Sequence, residues 1–161
     1  MLSVRRHSRT LESMHTETLP PEEPFPTKSE TQDKWECSQA VVYFIAAGQP
    51  PAAIKIGITG RTTKSVTQRL RAIQSSNHLF IELLGVISFE HGERPMLAAQ
   101  THEGELHQRF VHLQRFERGW VGSEWFTSAA ELLEFIAAHA TPPEQLGLPR
   151  TVGRPLYDKQ P

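Results

Sequence analysis

Two polar side chains interrupt the two short apolar runs of VVYFIAAGQPPAAIKIGIT, residues 41–59. Tyr43 lies in the first run and Lys55 in the second. A lysine is costly to bury in an apolar strand unless its ammonium group reaches water or an anion. A tyrosine in such a strand is most often a core residue whose hydroxyl is satisfied. The ammonium group of Lys55 is therefore expected to contact water or an anion.

Basic residues follow the second run within eleven residues of chain, at positions Arg61, Lys64, Arg69 and Arg71. Arg69 comes directly before Leu70, at the edge of a predicted apolar helical stripe. A guanidinium group at the edge of a cleft can contact a phosphate with two N–H groups. An arginine at a helix edge is also, more ordinarily, a solvated side chain with a packed stem.

The segment HEGELH, residues 102–107, places two histidines and two glutamates close together. His102 and His107 are five residues apart, which splays them too widely on a helix for one tetrahedral zinc ion. Glu103 and His107 are four apart and share a face, so a carboxylate and an imidazole could meet at one cleft. A solvated helix face with ordinary contacts is the competing interpretation. Glu105 is predicted to point elsewhere.

Composition indicates one modest domain with flanking segments. The chain has 161 residues, a net charge of −1 and one cysteine, Cys37, which excludes an internal disulfide or a multi-cysteine zinc site. The proline-rich residues 1–38 are predicted to be a disordered arm, residues 39–141 the folded unit, and residues 142–161 a loose tail. Without a secretory signal or an apolar run of membrane-spanning length, we expect a cytoplasmic protein that contacts no membrane.

The folded unit is predicted to consist of short strands and helices that follow one another along the chain. AVVYFIAA and AAIKIGIT predict a hairpin, and symmetry about residue 50 places Tyr43 opposite Gly57. SVTQRLRAIQSSN predicts a helix with a capping box at Ser65, and LFIELLGVISFE predicts a third strand.

A second helix is expected from about Met96 to Leu113, followed by an optional short strand at EWF and by a last helix with a capping box at Ser128. The predicted fold is α+β, with a small, mostly antiparallel three-stranded sheet flanked by helices.

The order of these motifs resembles the GIY-YIG nuclease superfamily. VVY is followed after eleven residues by KIG, then by an arginine on the next helix, by E-x-x-x-H-x-x-F and by G-x-E-W-F. The chain is most similar to the phage and bacterial branch whose second motif has KIG in place of YIG. The resemblance spans residues 41–126. It implies metal-dependent hydrolysis of DNA phosphodiester bonds.

The resemblance also implies roles for individual residues. It assigns Tyr43 to the attacking water, as general base or orienting group, Arg69 to the phosphate, and Glu103 to a single cation, Mg²⁺ or Mn²⁺. Gly57 matches the motif glycine that permits close approach of the substrate. Lys55 replaces the second-motif tyrosine, and can neutralise a phosphate or, with a lowered pKa, act as a base.

Several alternatives stay open. His107 could be a neighbour of the metal, a proton donor to the leaving group, or an orienting partner of Glu103. Beyond the nuclease, a catalytically inactive nucleic-acid-binding or protein-binding module of the same fold is possible. A small-molecule enzyme using Glu103 and His107 has no cofactor motif to support it. For the nuclease, DNA contacts are expected from Gly57 and from the basic residues Arg61, Lys64 and Arg71.

Overall fold

The computed structural model describes residues 28–120 and 122–153 of the chain. The order of elements along the chain is helix α1 (Lys28–Glu36), strand β1 (Ala40–Ala47), strand β2 (Ala53–Gly60), helix α2 (Thr63–Ser75), strand β3 (Ile81–Phe89), helix α3 (Pro95–Arg109), strand β4 (Trp125–Thr127) and helix α4 (Ala130–His139). Short 3-10 turns lie at Val111–Leu113 and Pro143–Leu146. Among the residues described, no helix combines the length and apolar character needed to cross a membrane.

The strands form one antiparallel sheet in the order β3-β1-β2-β4. This confirms the predicted α+β class, but the sheet has four strands and not three. The additional strand, β4, is only three residues long and pairs with the start of β2. So short a segment shows little alternation of its own, and its pairing depends on the edge that β2 offers.

The hairpin register is the predicted one. Tyr43 lies directly opposite Gly57, and Ile45 lies opposite Lys55. Because successive side chains in a strand point to opposite faces, Tyr43, Lys55 and Gly57 share one face of the sheet.

Each face of the sheet has its own hydrophobic cluster. On the face of Tyr43, β1 and β3 pack against the apolar stripe of α2, which consists of Val66, Leu70 and Ile73 as predicted. On the other face, Phe44 and its neighbours pack against α3 and α4. Strand β1 is therefore buried on both sides, which explains its continuous apolar sequence.

Both predicted capping boxes are wrong. Thr62 is the N-cap of α2, where its side chain accepts a hydrogen bond from the Ser65 N–H at 3.1 Å. Helix α2 thus begins two residues before Ser65. Helix α4 has Ala129 at its N-cap and no capping side chain, so Ser128 does not serve that role. The predicted second helix also ends earlier, at Arg109, and a 3-10 turn follows.

The flanking segments contain more structure than the sequence indicated. Residues 1–27 and 154–161 lie outside the described residues, but residues 28–36 of the predicted arm form α1, whose Glu36 pairs with Arg94 at 2.5 Å. The beginning of the tail packs on β3: Leu148 is buried, and the Arg150 carbonyl accepts the Leu83 N–H at 2.8 Å. Helix α1 and the beginning of the tail are thus held to the rest of the fold by contacts between residues far apart in the chain.

Candidate active site

Tyr43 lies in the centre of the sheet with its ring over Gly57. The tyrosine is 3% exposed. A Cβ atom at position 57 would lie 2.6 Å from the Tyr43 Cζ, closer than real Cβ contacts allow. The glycine therefore gives the tyrosine ring its space, and the ring covers the surface through which a substrate would approach Gly57.

Lys55 has an anionic partner within the protein. Its ammonium group forms an ion pair with the Glu124 carboxylate and lies 5.7 Å from the centre of the Trp125 ring. The Lys55 side chain is 12% exposed, whereas Glu124 is about half exposed. The backbone reinforces the pair, because the Ile56 N–H donates to the Glu124 carbonyl at 3.1 Å.

Glu124 is the site residue that the sequence reasoning missed. The G-x-E-W-F motif contains this glutamate, but the sequence pattern indicates no role for its carboxylate. Two signals were available: a strand lysine that needed an anion, and a glutamate beside a tryptophan in a matched motif. Neither signal could pair two residues 69 positions apart before the docking of β4 was known.

Helix α3 places Glu103 and Glu105 in different surroundings, as its periodicity predicted. The Glu103 side chain is 17% exposed, whereas Glu105 is 68% exposed and faces His102 at 3.3 Å. His102 and His107 belong to different environments, in agreement with the rejection of a zinc site built from both.

His107 connects α3 to strand β2. Its Nε2 lies 3.1 Å from the Ile56 carbonyl, to which it must donate because a carbonyl only accepts. The Glu103 carboxylate is farther away, at 3.9 Å from the same nitrogen. The ring also packs against Phe126, with centroids 5.2 Å apart. This geometry gives His107 a positioning contact with β2, and its predicted catalytic role remains a prediction.

The electrostatic environment links Glu103, Glu124, Lys55 and Arg69. Burial, followed by the nearby Glu124 carboxylate, raises the pKa of Glu103 to about 7, against the opposing effects of Lys55 and Arg69. Burial also raises the pKa of Tyr43 above its ordinary value; Arg69 opposes this rise, and both glutamates add to it. The Tyr43 hydroxyl is therefore protonated at neutral pH.

Arg69 lies at the edge of a cleft of about 280 Å³ on the α2 face of the sheet, here called the cleft. Its lining residues are Lys55, Arg69, Ala72, Ile73, Ser76, Asn77 and Trp125. The arginine is exposed, so its guanidinium group can turn toward an anion in the cleft. None of these lining residues has a carboxylate, and since Lys55 is paired with Glu124, the uncompensated positive charge of the cleft wall comes from Arg69.

The other predicted DNA-binding residues lie elsewhere on α2 or before it. Arg61 pairs with Glu90 at 2.7 Å and lines a separate cavity of about 370 Å³ beside Ser65. Lys64 and Arg71 are exposed. The structure thus brings Arg69 and Lys55 together but leaves Arg61 outside the cleft.

The residues present fit a divalent cation that retains several waters. No group of three or more histidine, cysteine, aspartate or glutamate side chains with metal-binding geometry occurs within residues 28–120 and 122–153. Glu103 is nevertheless a largely buried carboxyl group, and its pKa is raised by this burial first and by the nearby Glu124 carboxylate second. Mg²⁺ commonly binds one or two carboxylates and takes its other ligands from water and substrate phosphate.

Comparison of the chain with protein-family models, with curated proteins and with solved structures gives no match. The family resemblance therefore rests on the motifs in the sequence.

Proposed function

We propose that this protein is a metal-dependent DNA endonuclease that hydrolyses phosphodiester bonds at the cleft, acting in the cytoplasm. The observation that supports this most is electrostatic: Lys55 and Arg69 both act on Glu103, and Arg69 and Glu103 both act on Tyr43, although the four residues come from two strands and two helices. The same four residues match the nuclease motifs in sequence order. Phosphodiester hydrolysis needs a positioned water, charge neutralisation at the phosphate and help for the leaving oxygen.

Lys55 and Arg69 neutralise the phosphate in this proposal. A phosphate entering the cleft competes with Glu124 for the Lys55 ammonium group, because both anions need the same donor. Glu124 therefore holds Lys55 in place before the substrate arrives. Arg69 is exposed and approaches the phosphate from α2.

Tyr43 acts as a hydrogen-bonding group in this proposal. Burial raises the pKa of its hydroxyl, which opposes ionisation and a role as general base. The protonated hydroxyl can orient the attacking water or donate to the phosphate. Of the two roles that the resemblance left open for Tyr43, the burial favours the orienting one.

Glu103 would hold the cation, with Glu124 as the nearest second carboxylate. A cation held there would supply charge stabilisation at the phosphate and would help to activate the attacking water. A glutamate with a pKa near 7 is only partly ionised at neutral pH, so cation binding there releases a proton.

A DNA-binding module without catalysis is the second candidate. The Lys55–Glu124 ion pair and the buried Tyr43 favour it, since both residues are engaged inside the protein. A binding module, however, gains nothing from Glu103, a carboxylate that repels phosphate.

Incubation with supercoiled plasmid separates the two candidates. The nuclease proposal predicts nicked and linear products with Mg²⁺ or Mn²⁺ and none with EDTA, while a gel-shift assay on the same samples monitors binding. Binding without cleavage under either metal would favour the module. Cleavage that persists in EDTA would rule out the proposed chemistry.

A further inference from the structure

A second, mostly apolar depression lies directly beside the cleft. This side groove has a volume of about 200 Å³ and is lined by Ala47, Ala53, Asn77, Leu79, Arg115, Phe116 and Trp125. Two of these residues, Asn77 and Trp125, also line the cleft. The two depressions are therefore adjacent, with Asn77 and Trp125 at their common boundary.

The apolar side chains of the side groove are exposed to an unusual degree. Phe116 is 51% exposed and Leu79 is 36% exposed, although both are large apolar residues. Phe116 is nonetheless held in place, because an added Cβ at Gly122 would lie 3.1 Å from its Cδ2. One side of the ring thus packs on the Gly122 backbone, and the ring remains available for stacking.

The polar groups of the side groove are donors. Arg115 lies in its wall, with Nη1 donating to the Ala52 carbonyl at 3.3 Å. The Asn77 Oδ1 accepts the Leu79 N–H at 3.0 Å, which leaves the Asn77 amide hydrogens free to donate to a ligand. No carboxylate is among the described lining residues of either depression.

A nucleotide combines the properties that the two depressions require. Its base is a planar ring with carbonyl acceptors, and its phosphate is an anion. The side groove is small, at about 200 Å³, which suits one planar ring system. Stacking on aromatic side chains next to cationic groups is how proteins bind unpaired bases.

We propose that the side groove binds one unpaired base of the DNA, next to the phosphate held in the cleft. The base stacks against Phe116 and Trp125, and Asn77 and Arg115 donate to its edge. This inference rests on the proposed function and adds the substrate class. The substrate is DNA with an unpaired nucleotide, such as a bulge or a flap, in preference to an intact duplex.

Binding measured in EDTA tests the side groove independently of cleavage. The probes are two fluorescently labelled duplexes of the same sequence, one with a single bulged 2-aminopurine and one with that nucleotide paired. The full chain and its Phe116→Ala, Phe116→Trp and Leu79→Ala variants are compared. Trp35→Ala, at an exposed aromatic position on α1, is the matched control.

We expect the bulged duplex to bind more tightly than the paired one, with quenching of 2-aminopurine fluorescence. Phe116→Ala should weaken bulge binding by at least about fivefold and leave duplex binding unchanged, since one base stack is lost. Phe116→Trp should retain the preference, Leu79→Ala should reduce it, and Trp35→Ala should have no effect.

Equal affinity for the two duplexes would contradict the proposal that the side groove binds an unpaired base. An equal loss of affinity for both duplexes in Phe116→Ala would contradict it as well. Should the bulge preference depend on Phe116 while no DNA is ever cleaved, the base site would stand as a binding site and the nuclease would fail. Should plasmid be cleaved without a preference for the bulged duplex, the nuclease proposal would stand and the base site would be ruled out.

Discussion

Two clusters of basic and acidic side chains in this protein shift the pKa of a glutamate in opposite directions. One, here called the site cluster, consists of the cleft residues Lys55 and Arg69 and of Glu103 and Glu124, which interact with them electrostatically. The other, here called the clasp, joins the tail to β3: Arg150 donates to Glu82 at 2.8 Å and to Glu144 at 3.0 Å. Hydrogen bonding to Arg150 lowers the pKa of Glu144, whereas burial beside a second carboxylate raises the pKa of Glu103 to about 7.

The difference distinguishes a structural ion cluster from a candidate site. In the clasp, Arg150 contacts both carboxylates directly, and the folded state is stabilised by the ionised form of Glu144. In the site cluster, Glu103 has no arginine or lysine within ion-pair distance among the residues described, and folding disfavours its ionised form. A bound cation would remove that cost.

The largest expected effects are on cleavage at the cleft. Arg69→Ala should reduce plasmid cleavage by about 100-fold or more, because a positioned cation at the phosphate is lost. Tyr43→Phe should reduce cleavage to a similar degree while the ring still fills its place over Gly57. Circular dichroism checks folding for both variants. Arg150→Ala is the matched control in the clasp, and a comparable loss there would remove the distinction between the clusters.

A pH profile should show the raised pKa of Glu103. At a low Mg²⁺ concentration, cleavage should rise about tenfold per pH unit below pH 7 and level off above it, because the cation binds the ionised carboxylate. More Mg²⁺ should move the midpoint to lower pH, since metal and proton compete. A midpoint near pH 4.5 that does not respond to Mg²⁺ would show that Glu103 does not hold the cation.

A smaller effect is expected on DNA affinity. Neutralising Lys64 and Arg71 together should weaken binding similarly across DNA sequences, and should reduce the slope of log affinity against log salt by about one per residue. Lys34→Gln on α1 should leave the slope unchanged. If the slope stayed unchanged in the double variant, the DNA would have to bind another surface, such as that of Arg109 and Arg118.

The smallest effects are on thermal stability, and they should have opposite signs. Folding raises the pKa of Glu103, so its contribution to stability declines as pH rises from about 4.5 to about 7. Without metal, Glu103→Gln should therefore raise Tm by a few degrees at pH 8 and hardly change it at pH 4. Arg150→Ala should lower Tm by a few degrees at pH 8, because the tail loses its contacts. A lowered Tm for Glu103→Gln at pH 8 would contradict the comparison.

Local pattern was sufficient for the features that depend on one element or one hairpin. The short loop fixed the pairing of Tyr43 with Gly57, and helical periodicity separated Glu103 from Glu105. The predicted N-cap of α2 was wrong because Thr62 and Ser65 are three positions apart and both are of a type favoured at N-caps. Only the backbone geometry shows that Thr62 is the N-cap.

Features that depend on distant contacts were missed. The Lys55–Glu124 pair, the pairing of β4 with β2 and the clasp each join segments far apart in the chain, and no periodicity within a segment encodes such contacts. The same limit applies to Arg61, whose position near the other basic residues in sequence did not bring it into the cleft.

The central claim is that Glu103 holds a catalytic cation, and the matched pair Glu103→Gln and Glu105→Gln tests it most directly. The two residues lie two positions apart on α3, one largely buried at the site and one exposed. With supercoiled plasmid and Mg²⁺, Glu103→Gln should lose cleavage while retaining folding and DNA binding, and Glu105→Gln should cleave like the wild type. Cleavage by Glu103→Gln at the wild-type rate would contradict the account.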